Sequence, residues 1–236
     1  MGAHTLVLWD VDHTLMETRG VGAELFGSAF SQATGRELVH PAEVTGRTEP
    51  AIFRETVELH HIPYNAALFD RYAKLLAAGY EAHAAELARR GRALPGAHAA
   101  ITALGQVGGI VQSVLTGNLR PVAETKLKTF GLDGGLDLDV GAYGSDHDER
   151  ACLVPIACRR AADKYRAQFD GQATVLIGDS PSDVQAGLDS GARVIAVATG
   201  RNSAAELRQA GASLVLASLL DTPAVVEAVL QGTEHT

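Results

Sequence analysis

The chain has 236 residues, of which 46% are apolar and 20% charged, and its formal net charge is −8. These values suit one large globular domain or a core with a small insert. No apolar run approaches the roughly 18 residues that cross a bilayer, and no basic stripe or tail indicates a nucleic-acid partner. The N-terminal residues lack the basic and apolar segments of a signal peptide, so we expect a cytoplasmic location.

Six short apolar runs predict the strands of a sheet, and most are continuously apolar, as in parallel strands that are buried on both faces. They lie at residues 6–9, 110–115, 136–140, 174–177, 193–197 and 213–216. Helical spacing falls between them, at about residues 97–106, 121–130, 153–168, 181–190, 203–210 and 221–231. This alternation predicts a doubly wound α/β core with a mainly parallel, Rossmann-like sheet.

A long segment between the first two predicted strands breaks this alternation. Residues 23–32, 50–60 and 66–89 carry helical spacing, and we find no convincing strand around them. A connection between a strand and a helix needs only a few residues, so the segment is an insert. The sequence therefore predicts an all-helical cap at residues 17–92, and an α/β core built from residues 1–16 and 93–236.

Polar segments follow four of the predicted strands, where ligands bind in an open parallel sheet. Each segment also has a purely structural interpretation: aspartates form turns, and Ser180, Pro181 and Asp183 have the spacing of a helix start with a capping box. Their occurrence together at one edge of the sheet favours a functional site. The segments are Asp10-Val11-Asp12-His13-Thr14, Thr116-Gly117-Asn118, the acidic loop 145–150 and Gly178-Asp179-Ser180-Pro181-Ser182-Asp183.

In the order and spacing of these segments, the chain resembles the haloacid dehalogenase-like hydrolases. The Asp-x-Asp-x-Thr motif at residues 10–14 and the Gly-Asp-Ser-x-x-Asp motif at residues 178–183 are specific as a pair. The resemblance covers essentially the whole chain, because a helical cap also interrupts the family's fold after the first motif. Gly46-Arg47-Thr48 is similar to the cap of phosphoglycolate phosphatase-like and β-phosphoglucomutase-like members.

The resemblance implies a role for each residue of the first two motifs. Asp10 would be a nucleophile that attacks phosphorus and forms an aspartyl-phosphate. Asp12 would protonate the leaving oxygen and would then deprotonate the water that hydrolyses the intermediate. Thr116, together with the amides of Gly117 and Asn118, would hold the phosphate oxygens.

The resemblance also implies a metal site, formed by Asp10, the backbone carbonyl of Asp12, Asp179 and Asp183. Hard oxygen ligands without a cysteine or histidine cluster favour Mg²⁺ over zinc. The metal and a cationic side chain would offset the repulsion between a carboxylate and a phosphate. We expect Asp10 to stay ionised beside the metal, whereas the pKa of Asp12 should be raised so that it carries a proton.

Two positions depart from the family pattern. His13 stands where a glycine is usual, either as a tolerated variant or as a contact to the substrate. Arg150 stands where the family has a lysine, and it could still bridge carboxylate and phosphate. Lys126 and Arg120 are the fallback candidates for this cation, and otherwise they would be surface charges on a helix. Arg47 in the cap either binds the distal part of the substrate or lies on the surface.

The sequence therefore favours a Mg²⁺-dependent phosphatase that hydrolyses a monoester of a small phosphorylated metabolite, without nucleic-acid or membrane partners. Asp12 and Asp179 argue against a dehalogenase, which needs neither. A phosphomutase uses the same four loops and stays open. So does a catalytically weak protein that binds a phosphorylated ligand, because of the departures at His13 and Arg150. Phosphoglycolate is a substrate suggested by resemblance only, and the sequence does not predict the oligomeric state.

Overall fold

The computed structural model describes residues 4–231 and contains a six-stranded parallel sheet with the order β5-β4-β1-β6-β7-β8. This arrangement confirms the doubly wound α/β fold. Two further strands, β2 and β3, form a separate antiparallel ribbon. In chain order the strands are β1 (Thr5–Trp9), β2 (Met16–Glu17), β3 (Arg92–Ala93), β4 (Ile110–Thr116), β5 (Ala142–Tyr143), β6 (Thr174–Gly178), β7 (Arg193–Val197) and β8 (Leu214–Leu216).

Ten helices surround the sheet, and between residues 4 and 231 none has the length and hydropathy of a membrane span. Four of them, α1 to α4, lie in the insert between β2 and β3. In chain order they are α1 (Val21–Thr34), α2 (Glu49–Leu59), α3 (Ala66–Ala82), α4 (Ala84–Arg90), α5 (Ala97–Gly105), α6 (Arg120–Thr129), α7 (Leu153–Tyr165), α8 (Pro181–Ser190), α9 (Ala204–Gln209) and α10 (Thr222–Leu230).

The central strand β1 explains why both faces of the sheet are covered. All five of its residues are buried, and successive side chains of a strand point to opposite faces. Val7 and Trp9 lie in one apolar cluster with residues of α5, α6 and α10. Leu6 and Leu8 lie in a second cluster with residues of α7 and α8. A strand buried on both sides can offer functional groups only at its ends, which places Asp10 at the sheet edge.

The strand predicted at residues 136–140 is wrong, because the edge strand is β5 at residues 142–143. Leu136 and Leu138 pack partly buried against the core, which explains their alternating pattern. The backbone between them makes only one sheet-like bond, from Asp137 N to Gln112 O at 2.8 Å. The Ser113 hydroxyl donates a hydrogen bond to the carbonyl oxygen of Asp137 at 2.6 Å. A side chain thus replaces part of the strand ladder here.

The insert is helical as predicted, with two differences. The predicted helix at residues 66–89 is divided at His83 into α3 and α4. The ribbon of β2 and β3, which the sequence did not predict, pairs Met16 with Ala93 and Glu17 with Arg92 where the insert leaves and rejoins the core. The domain limits at residues 16/17 and 92/93 stay a prediction, and residues 1–3 and 232–236 of the predicted core lie outside the described residues.

Candidate active site

Three buried aspartates meet at the carboxyl edge of the sheet. Asp10 directly follows β1, and Asp179 directly follows β6, which is the neighbour of β1 in the sheet. Asp183 lies in the first turn of α8. One carboxylate oxygen from each of the three lies within 4.8 Å of the others. The strand order therefore brings together residues that are far apart in the sequence, as the sequence predicts.

Arg150 is the cation of this cluster. Its Nη2 donates to Asp10 Oδ1 at 2.6 Å, to Asp183 Oδ1 at 2.5 Å and to the carbonyl of Leu115 at 3.3 Å. Its side chain is only 8% exposed. Its Nε is buried and has no partner among residues 4–231. A single guanidinium thus holds the carboxylate of Asp10 in place, at the position that the resemblance assigns to a lysine.

The start of α8 fixes Asp183. Ser180 is the N-cap, and its hydroxyl accepts from Asp183 N at 3.2 Å. The carboxylate of Asp183 accepts in return from Ser180 N at 3.1 Å and from Ser180 Oγ at 2.6 Å. This is the predicted capping box. Because its second oxygen is bound by Arg150, Asp183 links the helix start to the cation beside Asp10.

Asp12 has a cation of its own, which sequence reasoning missed. Lys126 Nζ lies 2.9 Å from Asp12 Oδ1, 2.7 Å from Asp12 Oδ2 and 2.7 Å from Asn118 Oδ1. Asn118 Nδ2 also donates to Asp12 Oδ2 at 2.7 Å. Lys126 is 4% exposed, so its assignment as a surface charge is wrong. The spacing carried a signal: Lys126 lies on the buried face of α6, four residues after Val122.

The pKa values of the two aspartates of the first motif are shifted in opposite directions. Burial raises the pKa of Asp10, the nearby charge of Asp183 raises it further, and Arg150 opposes both only in part. Burial also raises the pKa of Asp179, and so do the charges of Asp10 and Asp183. Burial acts on Asp12 in the same direction, but Lys126 and Asn118 outweigh it and lower the pKa. The expectation of a raised pKa for Asp12 is therefore wrong, whereas the expectation that Asp10 is ionised beside the metal stays a prediction.

The donor set at the sheet edge fits a magnesium ion. Asp10, Asp179 and Asp183 supply only hard oxygen atoms, as Mg²⁺ prefers. Three buried carboxylates face one guanidinium, which leaves an excess of negative charge in a largely buried part of the site. A divalent cation would neutralise this charge and lower the raised pKa values. The side chain of Asp12 points to Lys126 instead, so its predicted contribution through the backbone carbonyl stays a prediction.

The predicted phosphate-binding segment also holds the cap. Thr116 is buried, and its hydroxyl accepts from Asn118 Nδ2 at 2.7 Å. The carbonyl of Gly117 accepts from Glu49 N at 2.8 Å. A Cβ atom at Gly117 would lie 2.0 Å from the carbonyl oxygen of Arg47. Only glycine allows this approach, so the segment lies directly against the cap.

Asp148 of the acidic loop after β5 contacts the cap, whereas Arg150 at the end of the loop contacts the aspartate cluster. The carboxylate of Asp148 pairs with Arg54 at 2.6 Å, and its carbonyl accepts from the Thr48 hydroxyl at 2.5 Å. Arg120 pairs with Glu124 at 2.7 Å. It is a surface charge on its helix, which was the second of the two interpretations of this residue. The two contacts of Asp148 join this loop to the cap.

Two further residues that the sequence proposed for substrate contact line the cavity above Asp10. His13 has a φ of 63°, a left-handed conformation that explains the usual glycine and that histidine tolerates better than most residues. Its carbonyl accepts from Thr199 Oγ1 at 2.6 Å. The guanidinium of Arg47 is bound within the cap, by Glu55 at 2.6 Å. Contact of either residue with a substrate stays a prediction.

A cavity of about 430 Å³ connects the aspartate cluster to the cap. Glu49 lines it, and its carboxyl accepts a hydrogen bond from the hydroxyl of Tyr72. Burial raises the pKa of Glu49 and raises that of Tyr80 to about 12. Lys126 Nζ lies 5.2 Å from the centre of the Tyr80 ring. Glu49 carried no signal in the sequence, because an acidic residue in the first turn of a helix is ordinary.

Comparison with family models places these residues in a known context. The model of the haloacid dehalogenase-like hydrolases matches residues 7–187, which is more than half of the chain and includes every residue of the aspartate cluster. A second model, of related hydrolases, matches residues 153–222. No curated protein matches the chain.

Solved structures share the fold at low sequence identity. A hydrolase from Pseudomonas syringae is 20% identical and covers 95% of this chain and 98% of its own, with a TM-score of 0.68. A protein described as a predicted phosphatase, from Clostridium acetobutylicum, is 17% identical and covers 96% and 100%, also with a TM-score of 0.68. CbbY from Rhodobacter sphaeroides, solved in complex with phosphate, is 21% identical and covers 92% and 96%, with a TM-score of 0.67.

Proposed function

The chain belongs to the haloacid dehalogenase-like hydrolase family, and we propose that it is a Mg²⁺-dependent phosphatase that hydrolyses a small phosphate monoester. One observation carries the proposal: Asp10, at the floor of the cavity, lies 2.6 Å from Arg150 and within 4.8 Å of the carboxylates of Asp179 and Asp183. A carboxylate held by a cation and facing a cavity is suited to attack phosphorus. The cytoplasmic location stays a prediction.

In the first step, a carboxylate oxygen of Asp10 attacks phosphorus, the bond to the leaving oxygen breaks, and that oxygen takes up a proton, which a protonated Asp12 in the same cavity would supply. Arg150 orients Asp10 through Nη2 and offsets the negative charge that gathers around phosphorus. Thr116 and the backbone after it are in position to contact the phosphate oxygens, since they line the same cavity as Asp10. Such a reaction depends mostly on positioning and on charge stabilisation.

Asp10 and Asp179 would hold the Mg²⁺ ion, and Asp183 would complete or orient its ligand shell. When bound, the ion supplies positive charge for the phosphate oxygens and keeps the carboxylates ionised. Asp183 is already engaged by Ser180 and Arg150 through both oxygens. Its clearest role is therefore to fix the position of Arg150.

In the second step, water attacks the aspartyl-phosphate, gives its proton to Asp12, and the bond between phosphorus and Asp10 breaks. The pair of Asp12 and Lys126 supports this role directly, because Lys126 keeps Asp12 ionised and able to accept a proton. Protonation of the leaving group in the first step requires Asp12 to carry a proton, which the charge of Lys126 disfavours. Asp12 is thus better prepared as a base than as an acid.

A screen for released phosphate tests the proposal. The panel contains phosphorylated sugars, nucleotides and short phosphorylated acids, including phosphoglycolate, each with Mg²⁺ and then with EDTA. We expect release from some of these compounds, abolished by EDTA and restored by added Mg²⁺. A sugar 1-phosphate that yields the 6-phosphate instead of free phosphate would identify a phosphomutase.

Asp179→Asn tests the role of the metal, because it preserves the size of the side chain and removes one metal-binding charge. We expect it to need a much higher Mg²⁺ concentration for half-maximal activity. The absence of chelator-sensitive phosphate release from every compound of the panel would favour a protein that only binds a phosphorylated ligand.

A further inference from the structure

The part of the cavity away from Asp10 has an apolar wall. Five side chains from four segments of the cap form it: Phe26 of α1, Leu38 and Val44 of the connection between α1 and α2, Ile52 of α2 and Leu76 of α3. Ile52 and Leu76 are buried, and Phe26 and Leu38 are partly buried. The same cavity contains Asp10 at its other end. A phosphate bound at Asp10 would therefore direct its organic part towards this wall.

Arg150 is assigned to the phosphate. Every other lysine or arginine among the described lining residues lies close to a carboxylate of the protein. Arg19 Nε lies 2.8 Å from Glu17, and Arg47 Nη1 lies 2.6 Å from Glu55. Lys126 pairs with Asp12 at 2.7 Å. Arg201, at the exposed rim, lies 3.8 Å from Glu43. A carboxylate on the substrate would thus find no lysine or arginine without a partner among the described lining residues.

Two carboxyl groups add to this disadvantage for an acidic substrate. Glu17 and Glu49 both line the cavity. A negative group moved from water into such surroundings loses hydration and gains no compensating charge. This arrangement argues against phosphoglycolate, whose carboxylate would have to lie beyond the phosphate, next to these residues.

The cap and the core contact each other beside the cavity. A Cβ atom at Gly46 would lie 2.5 Å from Ser182 Cβ, so the cap backbone lies directly against the first turn of α8. Glu49 N and Thr48 Oγ1 make further bonds to the core. The volume of about 430 Å³ lies in the usual range for sites that enclose small ligands. Such a site suits a small molecule rather than a macromolecule.

We propose that the substrate is a phosphate monoester whose alcohol part is uncharged and mainly apolar, bound against Phe26, Leu38, Val44, Ile52 and Leu76. This inference rests on the proposed phosphatase function and specifies its substrate class. Apolar surface that leaves water for this wall stabilises the bound substrate in proportion to its area. A polyhydroxylated or acidic alcohol part gains less, because its polar groups lose hydration there.

Three substrates of similar size test the proposal: n-hexyl phosphate, glycerol 1-phosphate and 2-phosphoglycolate. All are esters of primary alcohols. We expect kcat/KM for hexyl phosphate to exceed that for either other compound by about tenfold or more, as a few apolar contacts can provide. Equal values, or a preference for glycerol 1-phosphate or phosphoglycolate, would overturn the proposal.

Two leucine variants locate the effect. Leu38→Asn places an amide in the apolar wall with little change of size, whereas Leu59→Asn makes the same change at an exposed position of the cap outside the cavity. We expect Leu38→Asn to lower kcat/KM for hexyl phosphate by about five- to tenfold and to leave glycerol 1-phosphate within about twofold. Leu59→Asn should change neither. Equal losses on both substrates would contradict a contact of Leu38 with the alcohol part.

A binding measurement separates this proposal from the proposed function. Asp10→Asn protein with Mg²⁺ is titrated calorimetrically with hexyl phosphate and with glycerol 1-phosphate, so that no turnover is required. Tighter binding of hexyl phosphate would support the apolar class even if the wild-type protein hydrolysed none of the three. Hydrolysis together with equal binding would refute the apolar class and leave the phosphatase function standing.

Discussion

The two aspartates of the first motif are separated by one residue, yet they lie in opposite electrostatic surroundings. Asp10 shares the guanidinium of Arg150 with Asp183, and Asp179 adds a third carboxylate nearby. Asp12 has the ammonium of Lys126 to itself, supported by the amide of Asn118. The pKa of Asp10 is accordingly raised, mainly by burial, and that of Asp12 is lowered in spite of it.

The difference indicates which half of the site needs a further ion. Around Asp10, three carboxylates outnumber one guanidinium, so this side binds a proton or a divalent cation readily. Around Asp12, charge is balanced by the protein itself. Under the proposed function, Asp10 as the nucleophile would therefore depend on a metal, whereas Asp12 as the base would not.

The largest effect is expected from Asp10→Asn, which keeps the size of the side chain and removes the attacking carboxylate. We expect kcat to fall by at least about 10⁴-fold, as for other enzymes that lose their nucleophile. The control is Asp70→Asn, the same change at an exposed carboxylate of the cap. Phosphate release measures both variants. If Asp10→Asn keeps most of the activity, another group is the nucleophile.

The next effect is expected at Arg150. Arg150→Met removes the charge that bridges Asp10 and Asp183, and we expect a loss of about 10³-fold in kcat/KM. Arg150→Lys keeps a positive charge, but its shorter side chain does not place that charge where Nη2 meets both carboxylates, so its loss should be about tenfold. Circular dichroism shows whether each variant folds. A folded Arg150→Met protein with less than a tenfold loss would show that Arg150 is not the required cation.

How much the sequence could predict differs between these two cations. Arg150 follows a strand end in a known order of motifs, so a resemblance could find it. Lys126 lies 114 residues from Asp12, on a helix whose pattern shows only that one lysine falls on the apolar face. The partner of Lys126 depends on how α6 packs beneath the cap, and no local sequence pattern specifies this packing. The two-residue strand β5 was missed for a similar reason. The nearby residues Leu136 and Leu138 pack against the core without forming a strand, so their apolar pattern does not show where the strand lies.

The third prediction concerns stability without metal. The raised pKa values of Asp10 and Asp179 mean that the folded state binds protons more tightly than the unfolded state. Their contribution to stability is therefore present below about pH 4 and is lost as the pH rises through the raised values. Mg²⁺ should restore it. At a concentration of about 100 Kd, we expect Mg²⁺ to raise Tm by roughly 5 to 10 °C.

This gain in Tm should be larger at pH 8 than at pH 5, because protons compete with Mg²⁺ for the same carboxylates. Differential scanning calorimetry in EDTA and in Mg²⁺ measures it. Asp179→Asn, with one carboxylate fewer, should show most of the gain removed. An equal gain at both pH values would contradict the assignment of the raised pKa values to the metal ligands.

The smallest effect is expected on the other side of the comparison, at Lys126. Without the ammonium, burial raises the pKa of Asp12, so a step that needs Asp12 as a base requires a higher pH. We expect Lys126→Met to lower kcat by about tenfold at pH 6 and by less than about threefold at pH 8, where Asp12 ionises without help. Lys126→Arg retains the charge and should keep the wild-type pH profile. Equal losses at both pH values, shared by Lys126→Arg, would mean that Lys126 only supports the packing of α6 against the cap, and the contrast between the two aspartates would then have no catalytic consequence.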